Sequence, residues 1–471
     1  MSRTPPLPPL PPLPPLQGRP RPRPTPGQPR RTARWRRSTP DRRRPPTTAA
    51  RARRSSIGPG RAGLGWDTLV AGVLANRGTD AGADSDFARA GVLVRLASFE
   101  QMATLEGALA RGGADKDGAD VAIVPLPTFV ASYERLRALS PEIFFVVGWS
   151  RGREALMASR PDALVAAPTG GAKLAAAPAE PAAFFGLLAL ELAGGPAPKL
   201  LGPGNRDATL EAIDRGAGRA GEGRTEVLLT TADASRLIPF VAIAQRGLLE
   251  PRGPALTAWA RTWLAAQRQL DTDPPAAARQ VASAAGGIEP LALLKRLGER
   301  SPAPLGDITR VAGLSGRGAV TLEALFRHSW RIWKASGVLA TPPPESAPVN
   351  NSVITAVVRA EPSLAAPPPA AAGKGDRAAL NDKARVLLVA RPPEGKLDEA
   401  AFVDTLGLVA GVFERAPLRV TVRSGGGGGV DAARTKKLIE AAEGRFDIAP
   451  GRMVAGTKAV DRAAGAIEVL E

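Results

Sequence analysis

From residue 63 to residue 340, short apolar runs alternate with longer stretches whose apolar positions recur every three or four residues. This alternation is typical of strands separated by amphipathic helices. The clearest strand is Val121–Val124, which follows Asp120 and ends in a Pro-rich turn before a helix. The pattern predicts five further strands: Val92–Leu96, Ile143–Ser150, Lys173–Ala177, Val227–Ser235 and Phe240–Ala244. Because the runs are short and continuously apolar, we expect a parallel α/β sheet.

Helices are predicted at Phe99–Ala110, at Pro181–Leu192 and over most of residues 255–338. Pro181 suits the first turn of its helix, where its missing N–H leaves no gap in the hydrogen bonding. In the last stretch, aromatic residues recur at helical spacing and are expected to pack in the core. They are Trp259, Trp263, Phe326, Trp330 and Trp333.

Turns and polar side chains follow several of the predicted strands, at the edge where α/β sheets bind ligands. The candidate ligand contacts are Trp66, Pro127, Thr128, Ser150, Glu180, Thr231 and Asp233. Amides at the helix starts beside Thr128 or Ser150 would suit an anionic group. Glu180 and Asp233 would suit a cationic group instead. Structural roles compete with these, since Thr128 can cap a helix, Asp233 can cap a turn and Trp66 can lie in the core.

The chain after residue 345 divides into a linker and a second folded part. Residues 346–383 contain runs of Pro and Ala, which is linker composition. The sequence pattern of residues 384–471 predicts a small α+β domain with elements in the order βαβαββ. We therefore expect a body over residues 63–345, a linker over residues 346–383 and a C-terminal domain over residues 384–471.

Residues 1–62 are of low complexity, with repeated Pro-Pro-Leu followed by Arg-rich sequence. They contain 16 Arg and a single acid, Asp41, which gives a net charge of +15. We expect this segment to be disordered, because it cannot bury a core. Three interpretations stay open: a basic tail that contacts anionic surfaces, a solvated linker without a specific role, or translated sequence upstream of the true start.

The remaining residues carry 47 basic and 44 acidic side chains, a net charge of only +3. This near-neutral balance argues against nucleic acid as a partner. The chain has no Cys and one His, His328, which excludes thiolate chemistry and sites with paired His ligands. We therefore expect no catalytic residues, no metal and no cofactor. No run of 18 apolar residues predicts a membrane-spanning helix, and no signal peptide is visible.

Residues 63–340 resemble the periplasmic solute-binding proteins of ABC transporters, in the group that includes nitrate, sulfonate and taurine binders. The resemblance rests on segments that agree in order and spacing: Ala119–Val130, Phe144–Ala155, Thr231–Ser235 and Ala255–Leu297. It implies a two-lobe α/β domain of the type II periplasmic-binding-protein class, with a small-molecule ligand between the lobes and closure about a hinge. It also implies a location in the periplasm or cell envelope and an ABC permease as a partner.

Residues 384–471 resemble the OmpA-like peptidoglycan-binding domain. Val430–Ile439 is similar to the helix of that family with the pattern Leu-Ser-x-x-Arg-Ala. The resemblance implies an N-cap role for Asp431 and a peptidoglycan contact for Arg434. The family also has an Asp that binds the ligand amine in the turn after the second strand. This chain has Gly425–Gly429 there, and Gly cannot replace a carboxylate that accepts from an ammonium group.

Three functions are consistent with the sequence. The first is a cell-envelope solute-binding protein that captures a small molecule for uptake or sensing and is anchored by the OmpA-like domain. The second is an enzyme on the same scaffold that uses the carboxylates of Glu180 and Asp233. The third is a structural envelope protein whose ligand site has decayed. Fold alone does not choose among them.

Overall fold

The computed structural model describes most of the chain after residue 67, which lies within one compact unit that spans residues 49–471. The described residues are 68–80, 82–99, 101–166, 171–195, 198–215, 226–285, 289–365, 384–392, 397–424, 429–460 and 462–471. The predicted disordered segment 1–62 and the candidate Trp66 lie outside them.

Helices and strands alternate along the described chain, so the expected α/β class is confirmed. The expected parallel sheet is wrong, because each of the three described sheets contains antiparallel strand pairs. The helices are α1 Val70–Asn76, α2 Asp86–Arg89, α3 Met102–Arg111, α4 Leu126–Leu136, α5 Pro181–Leu192, α6 Arg246–Leu249, α7 Gly253–Thr272, α8 Pro274–Ala285, α9 Pro290–Gly298, α10 Leu305–Val311, α11 Leu322–Ala335, α12 Ser352–Ala360, α13 Glu399–Val412 and α14 Ala432–Phe446. The strands are β1 Val121–Pro125, β2 Pro141–Ser150, β3 Glu154–Ala158, β4 Lys173–Ala175, β5 Lys199–Leu201, β6 Leu210–Asp214, β7 Glu226–Thr230, β8 Pro239–Gln245, β9 Arg300–Pro302, β10 Val386–Ala390, β11 Leu418–Val422, β12 Met453–Ala455 and β13 Gly465–Leu470.

The first sheet has the strand order β1-β8-β2-β9 in the described residues. Strand β8 is antiparallel to both β1 and β2, so those two strands run in the same direction. Every residue of β1 and β2 is buried, which explains their continuous apolar sequence. Helices α4 and α7 belong to this part of the molecule, which we call the first lobe.

The second sheet has the strand order β5-β4-β6-β3-β7. Strand β4 is parallel to β5 and β6, whereas β3 is antiparallel to β6 and β7. Helix α5 packs on β3 and β6, and we call this part the second lobe. The chain enters it between β2 and β3 and returns between β7 and β8. In each lobe the first strand formed after a crossing, β3 or β8, runs antiparallel to both of its neighbours.

Two predicted strands differ from the structure. Val92–Leu96 is not a strand, since Arg95 pairs with Asp80 in an isolated bridge rather than a ladder. Its alternating residues are nonetheless buried, so the apolar pattern reports burial and not strand pairing. The predicted strand Val227–Ser235 ends at Thr230, because the following residues form a turn.

The third sheet lies in the C-terminal part, with the order β10-β13-β11-β12. Its elements follow one another as βαβαββ, the order expected from the sequence. The segment expected to be linker contains helix α12, whose Val353, Ile354 and Val357 are buried against the first lobe. The segment contains a helix despite its linker composition, because these three apolar residues recur at helical spacing and can be buried together.

Candidate functional site

Three buried side chains join the two crossings between the lobes. Ser150 ends β2, Glu154 begins β3 and Thr231 follows β7. The Thr231 Oγ1 hydroxyl donates to Glu154 Oε2 at 3.0 Å, and it lies 3.2 Å from Ser150 Oγ. The Ser150 hydroxyl also donates to Glu154 Oε2. We call these three residues the hinge cluster, since they connect the two crossing segments by hydrogen bonds.

Backbone hydrogen bonds reinforce the hinge cluster. The amides of Arg153 and Glu154 donate to Thr231 Oγ1 at 3.1 and 3.3 Å, and the amide of Thr231 donates to the carbonyl of Glu154 at 3.0 Å. The Ser150 and Thr231 hydroxyls therefore make their hydrogen bonds to other groups of the protein. Their hydroxyls are therefore parts of the hinge, and a ligand would have to displace these bonds to reach them.

Glu154 is the acidic centre of the hinge cluster. Burial raises the pKa of its carboxyl above the ordinary value, and the hydrogen bond from Ser150 and the charge of Arg153 offset this only in part. The guanidinium of Arg153 forms an ion pair with Asp214 at 3.1 Å. That pair ties the hinge to β6 of the second lobe. No local pattern in the sequence singles out Glu154, although it lies four residues after Ser150.

The start of α4 holds two further candidates, Pro127 and Thr128. Pro125 is the N-cap residue, so Thr128 lies inside the first turn and is not the cap. No side chain caps this helix start. The Thr128 Oγ1 atom is buried and has no hydrogen-bond partner among the described residues. A buried hydroxyl without a partner is unusual and needs an explanation, as do the buried hydroxyls of Ser235 and Ser329.

The two lobes meet beside Pro127. The indole Nε1 of Trp333, on α11, donates to the Pro127 carbonyl at 2.8 Å. The Trp333 ring also lies 6.0 Å, between ring centroids, from Phe184 on α5 of the second lobe. Both aromatic side chains are fully buried. Trp333 was assigned to the core by its helical spacing, and the sequence gives no signal for its contact with a carbonyl 206 residues away.

A charged contact lies further along the same two helices. Arg331 on α11 forms an ion pair with Glu191 on α5. The second guanidinium nitrogen of Arg331 lies 3.0 Å from Nδ1 of His328. Burial lowers the pKa of His328 to about 4, and the positive charge of Arg331 contributes. His328 is therefore neutral at physiological pH and lies beside Arg331 on the same helix.

The remaining candidates of the body have separate positions. Glu180 is the N-cap residue of α5, where its side chain makes no capping hydrogen bond, and it is half-buried. Asp233 accepts from the amide and the hydroxyl of Thr230 at 2.8 and 2.9 Å. Its carboxylate therefore closes the turn after β7, the structural role that competed with ligand binding.

In the C-terminal part, Asp431 caps α14 by accepting from the amide of Arg434 at 2.9 Å. The Arg434 guanidinium pairs with Glu399, with 2.7 Å between Nε and Oε1. Both side chains are partly exposed, so solvent weakens this pair. Gly425–Gly428 of the glycine run lie outside the described residues.

Two kinds of functional feature are absent from the described residues. Across the described residues, no three His, Asp or Glu side chains lie close enough together to hold a metal ion. The helices of this same part of the chain include none with the length and apolar character that crossing a membrane requires.

No protein-family model matches this chain, and no curated protein matches its sequence. Among solved structures, the chain is similar to the periplasmic aliphatic sulphonate binding protein SsuA from Escherichia coli, with 15% identity, 62% of this chain and 93% of that chain covered, and a TM-score of 0.41. A putative sulfonate ABC transporter periplasmic binding protein, SsuA from Methylobacillus flagellatus, has 13% identity, 66% and 96% coverage, and a TM-score of 0.45. The desulfurization enzyme DSZB has 12% identity, 65% and 99% coverage, and a TM-score of 0.39.

Proposed function

We propose that this chain binds a small molecule between its two lobes and works as a solute-binding protein of the cell envelope. One observation carries the proposal: the chain crosses twice between two sheets, and the hinge cluster bonds the two crossings together. Such an arrangement lets two lobes rotate about a short, defined axis. Capture would then need no covalent chemistry, and an ABC permease would be the natural partner for uptake.

The ligand would bind at the start of α4, against Pro127 and Thr128, with Glu180 at the start of α5 on the other lobe. The unpartnered Thr128 hydroxyl supports this position, and so does the uncapped start of α4. Trp333 and Phe184 would close the site when the lobes meet. Ser150, Thr231 and Asp233 would then shape the hinge beside the ligand, and Trp66 stays a proposed contact on the basis of sequence.

The amides at the start of α4 would favour an anionic group of the ligand, since the helix dipole and the free N–H groups attract negative charge. Glu180 would favour a cationic group on the other side. A small molecule with an acidic head, such as a sulfonate or an amino acid, meets these requirements best.

The test is a thermal-shift screen of the full chain against sulfonates, amino acids and pyrimidines. A ligand that binds should raise the unfolding temperature of the wild-type protein and should shift Thr128→Val much less. Thr405→Val is the matched control, because its exposed hydroxyl bonds within α13. The absence of any shift across the whole panel would contradict ligand binding and favour a structural protein with a decayed site.

We infer, as a second part of the same proposal, that residues 384–471 are an OmpA-like domain with a weak peptidoglycan contact. The βαβαββ order and the cap by Asp431 support this. Arg434 would have to leave Glu399 before it could bind a peptidoglycan carboxylate. Sedimentation of the full chain with peptidoglycan tests the idea, with Arg434→Ala compared with Lys436→Ala, which removes an exposed pair with Glu440 on the same helix. Equal sedimentation of both variants and the wild type would rule out the role of Arg434.

A further inference from the structure

The second crossing segment is bonded directly to the C-terminal domain through Arg236. Its guanidinium Nε donates to Glu414, just after α13, and its Nη2 donates to Asp307 on α10, both at 2.6 Å. The amide of Arg236 also donates to the carbonyl of Val412 at 3.3 Å. The side chain is largely buried, so these charge-assisted bonds are not strongly screened by solvent.

The same domain is bonded to the second lobe through the end of β10. The amide of Arg391 donates to the carbonyl of Leu192, at the end of α5, at 2.8 Å. Its guanidinium donates to the carbonyl oxygens of Val165 at 2.6 Å and Ala193 at 3.2 Å. The amide of Val389 donates to the carbonyl of Leu164 at 3.2 Å. Arg391 is nine-tenths buried, so this is a well-packed contact.

A third contact joins the domain to the first lobe. Helix α13 lies so close to Val320 that a Cβ built at Gly411 would be 2.4 Å from Val320 Cγ2. Val320 precedes α11, which packs on α4 of the first lobe. Asp307 also belongs to this lobe, because α10 packs on α12 and α12 packs on β2. One domain therefore holds both lobes and the hinge segment between them.

We propose that the C-terminal domain is a strap that fixes the angle between the two lobes. Leu192 belongs to one lobe and Asp307 to the other, and a single sheet with two helices spans them. A rotation about the hinge cluster changes the distance between these points, so the lobes open only when Arg236 or Arg391 releases its partners. The cleft and the docking of the C-terminal domain are then coupled, whatever molecule the cleft binds.

The distance between the lobes can be measured by pulsed electron spin resonance on the full chain. The wild type has no Cys, so spin labels on Thr104→Cys in α3 and Asp207→Cys after β5 report one distance across the lobes. The expected result is a narrow distance distribution in this labelled protein. Arg236→Gln combined with Arg391→Gln should broaden it and add a longer component. Arg261→Gln is the matched control, because it removes an ion pair with Glu361 within the first lobe.

An engineered disulfide distinguishes the loss of the strap from a general destabilisation of the protein by the Arg substitutions. An ideal Cβ at Gly411 would lie 3.4 Å from Val320 Cβ, so Val320→Cys with Gly411→Cys can form a bond after minor adjustment. In Arg236→Gln, this disulfide, formed before attachment of labels through thioether bonds, should restore the narrow distribution, whereas Val320→Ser with Gly411→Ser in the same background should leave it broad. An unchanged distribution in the double Arg variant, with native circular dichroism, would overturn the proposal. So would broadening that the disulfide does not reverse.

Discussion

The indole nitrogen of Trp333 donates a 2.8 Å hydrogen bond to the carbonyl oxygen of Pro127, at the start of helix α4, which follows the outer strand β1 of the first sheet. Phe184 of the second lobe packs on the same indole ring. One side chain therefore satisfies a polar atom of one lobe and presents an apolar face to the other. Loss of this side chain would therefore remove a hydrogen bond in one lobe and an aromatic contact with the other.

We expect Trp333→Phe to lower the free energy of unfolding by about 1–3 kcal/mol, because the buried Pro127 carbonyl loses its donor. Trp330→Phe is the matched control on the same helix. Its indole donates to the carbonyl of Thr341, an exposed residue, where water can replace the lost donor. Urea unfolding measures both variants. Equal losses would mean that the bond to Pro127 contributes nothing beyond the change in ring size.

Glu154→Gln should alter the pH dependence of stability. The carboxyl pKa is raised in the folded protein, so the folded state binds more protons than the unfolded state above pH 4.5, the ordinary value. The contribution of Glu154 is therefore fully present below that pH and declines as the pH rises through the folded pKa. Gln cannot ionise and removes this decline.

The measurement is urea unfolding of wild type and Glu154→Gln at a series of pH values from 4 to about 8. As the pH rises, the free energy of unfolding of Glu154→Gln should increase relative to that of the wild type. The exposed Glu250→Gln is the control for a change of surface charge. A difference that stays constant with pH would show that Glu154 is ionised without cost in the hinge cluster.

His328 is the single His of the chain, so its titration can be followed without ambiguity. Its pKa is lowered from 6.5 to about 4 by burial and by Arg331, which means the unfolded state binds more protons between these values. Stability should therefore fall as the pH drops from 6.5 to about 4, and His328→Gln should remove that component. NMR of the imidazole signals gives the pKa directly, and a midpoint near 6.5 would contradict the contact with Arg331.

Two glycines in the helices of the C-terminal domain should respond in opposite directions to Ala. A Cβ at buried Gly407 would lie 2.3 Å from the Phe446 ring. Gly407→Ala should therefore lower the free energy of unfolding by about 1–3 kcal/mol through overpacking. Gly444 is exposed and a Cβ there meets nothing within 4 Å. Gly444→Ala should raise the free energy of unfolding by about 0.5–1 kcal/mol, because Ala has the higher helix propensity. Thermal unfolding of both variants checks the pair, and a stabilised Gly407→Ala would mean that the ring moves away freely.

The elements that the sequence predicts correctly are those specified by their own residues. Helix α5 was predicted with the bounds it has in the structure, Pro181–Leu192, because an apolar run follows a Pro that suits the first turn. Strand β2 is long and wholly buried, so its apolar run is unmistakable. Val92–Leu96 has the same local pattern, yet a strand also needs a neighbour, and pairing is decided by distant residues.

The candidate site was predictable only in part for the same reason. Ser150 ends β2 and Thr231 directly follows β7, but their mutual contact joins residues 81 positions apart, which no local pattern predicts. Glu154 reads as an ordinary surface acid until both crossings are folded around it. Trp333 reads as a core aromatic, since its helical spacing reports burial and says nothing of the carbonyl it meets.

The reversed strands set an order for biosynthesis. Strand β8 lies between β1 and β2, yet it is made only after the whole second lobe, residues 154–230, has been synthesised. The second lobe is continuous in sequence and can fold as soon as it leaves the ribosome, whereas β1 and β2 must wait with an open edge on each side. The nascent first lobe is therefore the stage most exposed to aggregation, until β8 pairs with β1 and β2 and β9 then covers the other edge of β2.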